Sequence, residues 1–260
     1  MTIEAFDRVH LGGTGIDRIT EGEVVAVVRE ALAAGQGGRI ITPNVDILRR
    51  AQAKEGIRAC LQDADLVVAD GMPLIWASRL GGTPLPERVA GSSLIWSLSE
   101  GLGRDGRTVF VIGGMPATEG RPDGAIRAAR RLAARCPGLR VAGALCPEFG
   151  FEQDPIAYAT LCARVEAAQP EMVFVGLGFP KQEQVITRLR AHLPHSWFMG
   201  CGAAVNFVAG DVDRAPRWMQ RTGLEWAHRL GTEPRRLAGR YLKHDAPYAM
   251  KLLAGAAARR

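Results

Sequence analysis

The stretch MVFVGLGFPKQE (residues 172–183) runs from an apolar segment through glycine and proline into a polar segment able to start a helix. That is the pattern of a strand ending at a turn and handing over to a helix. Five more short apolar runs occur along the chain: RIIT (39–42), LVVA (66–69), TVFVI (108–112), LRVAG (139–143) and SWFMG (196–200). Between them, segments such as VDILRRAQAKEGIRACLQ (45–62) and GAIRAARRLAARC (124–136) carry apolar residues at three- and four-residue spacing. Strand and helix in repetition predict an α/β fold, a mostly parallel Rossmann-like sheet with helices on both faces. Ligands of such sheets bind beyond the carboxyl ends of the strands.

The residues that follow the runs are therefore the candidates for chemistry. They are Thr42-Pro43-Asn44, Asp70-Gly71-Met72-Pro73, Gly113-Gly114, Gly178-Phe179-Pro180-Lys181-Gln182-Glu183 and Gly200-Cys201-Gly202 with Asn206 beyond. Glycines let a ligand approach the backbone, and helix amino termini attract phosphate. Lys181 can pair with phosphate, and Gln182 can bond a base, sugar or phosphate. Asp70 either caps the helix that follows it or is held at a strand tip to do chemistry. Arg88, in PERVAGSSLI (86–95), can clamp a phosphate or sugar, with Ser92 or Ser93 capping the next helix. FVIGGMP (110–116) is not a GxGxxG fingerprint and is a weak dinucleotide signal. The triplets Asp63-Ala64-Asp65 and Asp211-Val212-Asp213 read as solvated turns, so no metal and no cofactor are expected.

At 260 residues and 47% apolar, the chain can bury a full core. The start, MTIEAFDRVHLGG, lacks a secretory pattern, and no apolar run reaches membrane-spanning length. Five cysteines without CxxC spacing point to reduced thiols in the cytoplasm. The net charge of +6 is unevenly placed. Residues 214–260 hold eleven Lys/Arg against three acidic residues, a local balance of +8, which leaves 22 basic and 24 acidic residues, or −2, before them. An anionic partner belongs at this tail. Drawn as one helix, RAPRWMQRTGLEWAHRL (214–230) puts Met219, Gly223, Trp226 and Leu230 on one face and Arg214, Arg217, Arg221 and His228 on another. The expected division is an α/β domain over 1–210 and a basic amphipathic appendage over 211–260.

TPNVD, ADGMPL, ERVAGS, FVIGG, FVGLGFPKQE, GCGAAVNFVAG, RAPRWMQRTGLEWAHRL and EPRRLAGRYL, in this order, resemble the WecG/TagA/CpsF glycosyltransferases (glycosyltransferase family 26) over about residues 8–245. The resemblance implies an inverting, metal-independent transferase. It would move a hexose or N-acetylhexosamine-type sugar from UDP to a polyprenyl-diphosphate-linked glycan. The product would serve exopolysaccharide, teichoic acid or related surface-polysaccharide synthesis at the inner face of the cytoplasmic membrane. It places the catalytic base on Asp70, active-site polar residues on Thr42, Asn44, Arg88 and Gln182, and appendage arginines on Arg214, Arg217 and Arg221. Gly113, Gly114, Gly178, Lys181, Glu183, Gly202 and Asn206 complete the expected substrate-binding set. Many relatives carry aspartate where this chain has Asn206. Self-association is left open. The other readings are another nucleotide-sugar enzyme on a similar sheet, or a nucleic-acid-binding protein with a basic tail. The glycine-rich strand ends disfavour the last, because a phosphate-backbone binder has no need of them.

Overall fold

The computed structural model describes residues 6–258; the side chains of Arg217, Arg221 and Arg236 lie outside the described residues. All six apolar runs are strands. With β1 (Arg8–Leu11) and β2 (Thr14–Asp17) preceding them, they are β3 (Gly38–Ile41), β4 (Leu66–Val67), β5 (Thr108–Gly113), β6 (Arg140–Leu145), β7 (Met172–Gly176) and β8 (Trp197–Gly200). The six form one parallel sheet in the order β4-β3-β8-β7-β5-β6. β1 and β2 form a separate antiparallel hairpin that the run pattern did not reveal. Its turn is Gly12-Gly13, both at positive φ (55° and 77°), which glycine adopts without strain.

The strands read as continuous apolar runs because both faces are covered. Alternate residues feed opposite layers. Ile40, Val68, Val111, Phe174 and Met199 face the helices Glu21–Ala33, Gly91–Arg104, Gly124–Arg135 and Ala204–Ala209. Ile41, Val67 and Ala69 face the hairpin and the helices Val45–Ala53 and Met72–Leu80, while Ile112, Val175 and Phe198 face Pro155–Ala168 and Lys181–Arg190. The chain thus leaves β3 toward one face and its neighbour β8 toward the other. This reversal opens a crevice at their carboxyl ends.

The tail forms helices Arg217–Thr222, Glu225–Thr232, Pro234–Arg240 and Ala246–Ala257, the last two joined by a π-helical turn at Tyr241–Asp245. The single helix drawn over 214–230 is therefore broken. Gly223 adopts φ +80° and ends the first helix, and a Cβ there would stand 2.6 Å from Met72 Cγ. Glycine is needed at that point for both conformation and contact. Pro216 stands just outside the first helix, at its N-cap. The final helix packs against Met72–Leu80, burying Tyr248, Leu252 and Ala256 with Leu74, Ile75 and Ala77. The end of the appendage is thus part of the core on that face. Among the described residues no helix is long and apolar enough to cross a membrane.

Candidate active site

A cavity of about 330 Å³ opens at the β3/β8 crevice. Asn44 and Asp46 come to it from beyond β3, Cys201 and Phe207 from beyond β8, Asp70 and Gly71 from beyond β4, and Arg88 from the following loop. The appendage supplies the remaining wall, including Glu225, Trp226, Arg229, Arg240 and Asp245.

Asp70 reaches this position because the chain stays extended past β4. The Val68 N–H donates to Ile41 O at 2.9 Å and the Asp70 N–H to Pro43 O at 3.0 Å, so the segment follows β3 beyond the formal strand. Capping is excluded as its role toward the next helix. Gly71 is the N-cap of Met72–Leu80, and no side chain caps that helix. The backbone N–H of Gly91, at the first turn of Gly91–Arg104, instead favours the charged form of the Asp70 carboxyl. That helix starts at Gly91 with Ala90 as N-cap, so neither Ser92 nor Ser93 caps it. Ser93 Oγ donates to Glu21 Oε2 at 2.8 Å. Burial pushes the Asp70 carboxyl up to about 6, against the pull of Arg88 and Arg229 and with the push of Glu225. A carboxylate so tuned is ionised at neutral pH yet basic enough to accept a proton.

Thr42 and Asn44 stand on either side of Pro43, whose carbonyl receives the Asp70 N–H; Asn44 lines the cavity and Thr42 lies behind the lining. Thr42 is buried, and its hydroxyl lies 3.3 Å from where a Gly91 Cβ would stand, so the loop and the helix start close tightly. Asn44 Oδ1 accepts the Ile47 N–H at 3.1 Å and caps Val45–Ala53, which fixes the side chain at the cavity edge.

Arg88 crosses to the appendage. Its Nη1 donates to Glu225 Oε2 at 3.0 Å, and Arg214 Nε lies 3.7 Å from the other oxygen, Glu225 Oε1. Arg229, one turn along the same helix, places its guanidinium 5.6 Å from the centre of the Phe207 ring. Glu225, Arg229 and Arg240 were absent from the sequence-derived site. The i, i+4 spacing of Glu225 and Arg229 on the helix Glu225–Thr232 carries that signal. Of the expected tail arginines Arg214 joins this group, while the side chains of Arg217 and Arg221 lie outside the described residues.

The remaining expected residues lie outside the cavity lining. Gln182 is buried, donating to Glu183 Oε1 at 2.9 Å and accepting the Gly202 N–H at 3.0 Å, so it braces the turn after β8. Glu183 pairs at 2.5 Å with Arg39, whose side chain is buried beneath it. Lys181 pairs with Glu152. Gly113 (φ 114°) packs on Gly176 and Gly114 (φ 93°) on Gly124, while Gly178 (φ 77°) turns the chain ahead of Lys181–Arg190. Asn206 keeps a buried Oδ1 with no hydrogen-bond partner among the described residues. In the acidic triplets, Asp63 and Asp65 meet Arg190 at 2.7 and 3.1 Å, and Asp211 meets Arg127 at 2.7 Å.

Two comparisons with known proteins bear on this arrangement. A model of the Glycosyl transferase WecG/TagA/CpsF family matches residues 9–260. The chain is also 32% identical over 205 residues to a Bacillus spizizenii protein described as N-acetylglucosaminyldiphosphoundecaprenol N-acetyl-beta-D-mannosaminyltransferase, covering 79% of this chain and 75% of the relative.

Proposed function

Because the chain belongs to the WecG/TagA/CpsF glycosyltransferase family, we propose that its cavity transfers a hexose or N-acetylhexosamine-type sugar from a UDP donor to a polyprenyl-diphosphate-linked glycan. The observation that carries this reading is Asp70, a carboxylate tuned to about 6 in a cavity whose other charged walls include Arg88, Arg229 and Arg240.

In the proposed reaction Asp70 accepts the proton of the acceptor hydroxyl as that oxygen attacks the anomeric carbon. The new C–O bond forms opposite the breaking bond to UDP, so the configuration inverts. UDP leaves with the bonding pair, and arginines and helix amino termini hold its diphosphate charge. We assign that work to protein groups rather than to a metal ion. Thr42 and Asn44 line up the sugar beside Asp70. We assign Gly113, Gly114, Gly178, Lys181, Gly202 and Asn206, which stand outside the lining of this cavity, to a donor side continuing beyond it, with Gln182 and Glu183 bracing the turn after β8. Arg214, Arg217 and Arg221 take the acceptor side. The relative acts on a diphosphoundecaprenol-linked sugar by its name, which supports a lipid diphosphate acceptor here and a role in surface-polysaccharide synthesis.

We assign the protein to the inner face of the cytoplasmic membrane, held peripherally by its appendage. Support comes from exposed Trp218, Leu242 and Met250 (60, 62 and 69% exposed) interspersed with the tail's basic residues. Apolar side chains beside Lys and Arg suit an anionic leaflet, each basic residue near it contributing roughly 1 kcal/mol. Turned toward a nucleic acid, the same charges would leave Asp70 and its cavity without a use.

The test is a panel of UDP-sugars with an undecaprenyl-diphosphate-linked N-acetylglucosamine acceptor, reading released UDP. At least one sugar should give UDP only when acceptor is present. UDP release that ignores the acceptor, or release from no donor, contradicts the reading.

A further inference from the structure

Glu225 joins the two halves of the site, and its setting is uneven. Glu225, Arg88 and Arg214 are 14, 16 and 21% exposed, so three charges are held largely out of water. One carboxylate serves two guanidinium groups. It takes a hydrogen bond from Arg88 at 3.0 Å but only faces Arg214 at 3.7 Å. The buried Nε of Arg214 has no hydrogen-bond partner among the described residues. Burial, and then the like charge of Arg88, hold the Arg214 guanidinium below its ordinary basicity. Across the whole cavity lining Arg88, Arg229 and Arg240 face Asp46, Asp70, Glu225 and Asp245, so the excess of cations is local to this cluster, two guanidinium groups to one carboxylate. Guanidinium groups in pairs suit an anion with more oxygens than a carboxylate has, and a diphosphate fits that description.

We propose that Glu225 is a resident anion: its carboxylate occupies the Arg88–Arg214 cradle in the free protein and gives it up to a diphosphate group of the substrate. The inference rests on reading the cavity as a site for diphosphate-bearing substrates. Glu225 holds two cations together while the site is empty, which keeps the helix Glu225–Thr232 seated over Asp70. An entering diphosphate must displace a charge already paired, so a neutral molecule of similar size gains nothing from the cradle. No bond is made or broken in this exchange; one anion replaces another.

The test is calorimetric binding of inorganic pyrophosphate, in metal-free buffer, to the full chain and to Glu225→Gln and Glu225→Ala, each checked for a cooperative thermal melt. Removing the resident charge should tighten pyrophosphate binding by about tenfold, a gain of about 1.4 kcal/mol. Glu225→Asp, which keeps the charge, should stay within about threefold of the unsubstituted protein. If Glu225 only props up the appendage, the folded variants bind pyrophosphate equally or more weakly, and the proposal is overturned while the cavity reading stands. If neither the unsubstituted protein nor the variants bind pyrophosphate, the cavity reading falls as well.

Discussion

Two places along the carboxyl edge of the sheet use similar residues for different purposes. Beyond β3 and β4, Asp70, Arg88 and the appendage residues Glu225 and Arg229 turn inward around a cavity, and burial there raises the Asp70 carboxyl to about 6 against the pull of Arg88 and Arg229. Beyond β7, an equally polar stretch, Lys181-Gln182-Glu183, is engaged by partners inside the fold. Lys181 meets Glu152, Gln182 meets Gly202, and Glu183 meets Arg39. The difference lies in where the compensating charge comes from. At β7 it is supplied from within the α/β layers. At β4 a large share comes from the appendage, so the site is complete only when that segment is docked.

The largest expected effect tests the internally compensated end. Glu183→Ala leaves Arg39 buried without its carboxylate and should destabilise the protein by about 3–5 kcal/mol, read by chemical denaturation. A loss under about 1 kcal/mol would show that Asp63, 3.4 Å away, or water can replace Glu183. Next in size, Asp70→Asn should lower turnover by at least about 100-fold while UDP still binds. Near-normal turnover would remove Asp70 from the role of base.

The same substitution has an opposite effect on stability. Because the folded pKa of about 6 lies above the ordinary value of 3.8, the stabilising contribution of Asp70 is complete below 3.8 and lost as pH rises through 6. Asp70→Asn should therefore be more stable than the unsubstituted protein at pH 8, by up to about 3 kcal/mol, with the gap closing toward pH 4. Melting curves at the two pH values measure it. Smaller still, Gly223→Ala strains a left-handed residue and presses on Met72. It should cost about 1–2 kcal/mol and weaken seating of the appendage, seen as faster proteolysis within residues 217–232. Unchanged proteolysis would uncouple Gly223 from the site.

Much of this was legible in the sequence, and its limits have physical causes. The six sheet strands are short apolar runs bounded by glycine, proline or charge, and each one forms. Asp70 and Arg88 could be placed at the crevice because parallel sheets put strand ends and following loops there. The hairpin β1–β2 carries its own signal in Gly12-Gly13 between alternating residues, yet it lies outside the repeating strand–helix pattern. The tail misled for another reason. Apolar and basic spacing across 214–230 fits one helix, but Gly223 breaks it in order to fit against Met72, a contact that local pattern does not encode. Gln182 and Glu183 look like ligands in isolation. Gln182 is taken up by the Gly202 N–H, and Glu183 by Arg39, which sits inside a strand run 144 residues away.

The central proposal is that Asp70, its carboxyl raised by burial, is the base. It is tested most directly by the pH dependence of kcat/KM for the full chain with its lipid-linked acceptor. The account predicts activity that falls below an apparent pKa of about 6 as Asp70 takes up a proton. A profile that stays flat down to pH 4.5 would contradict it.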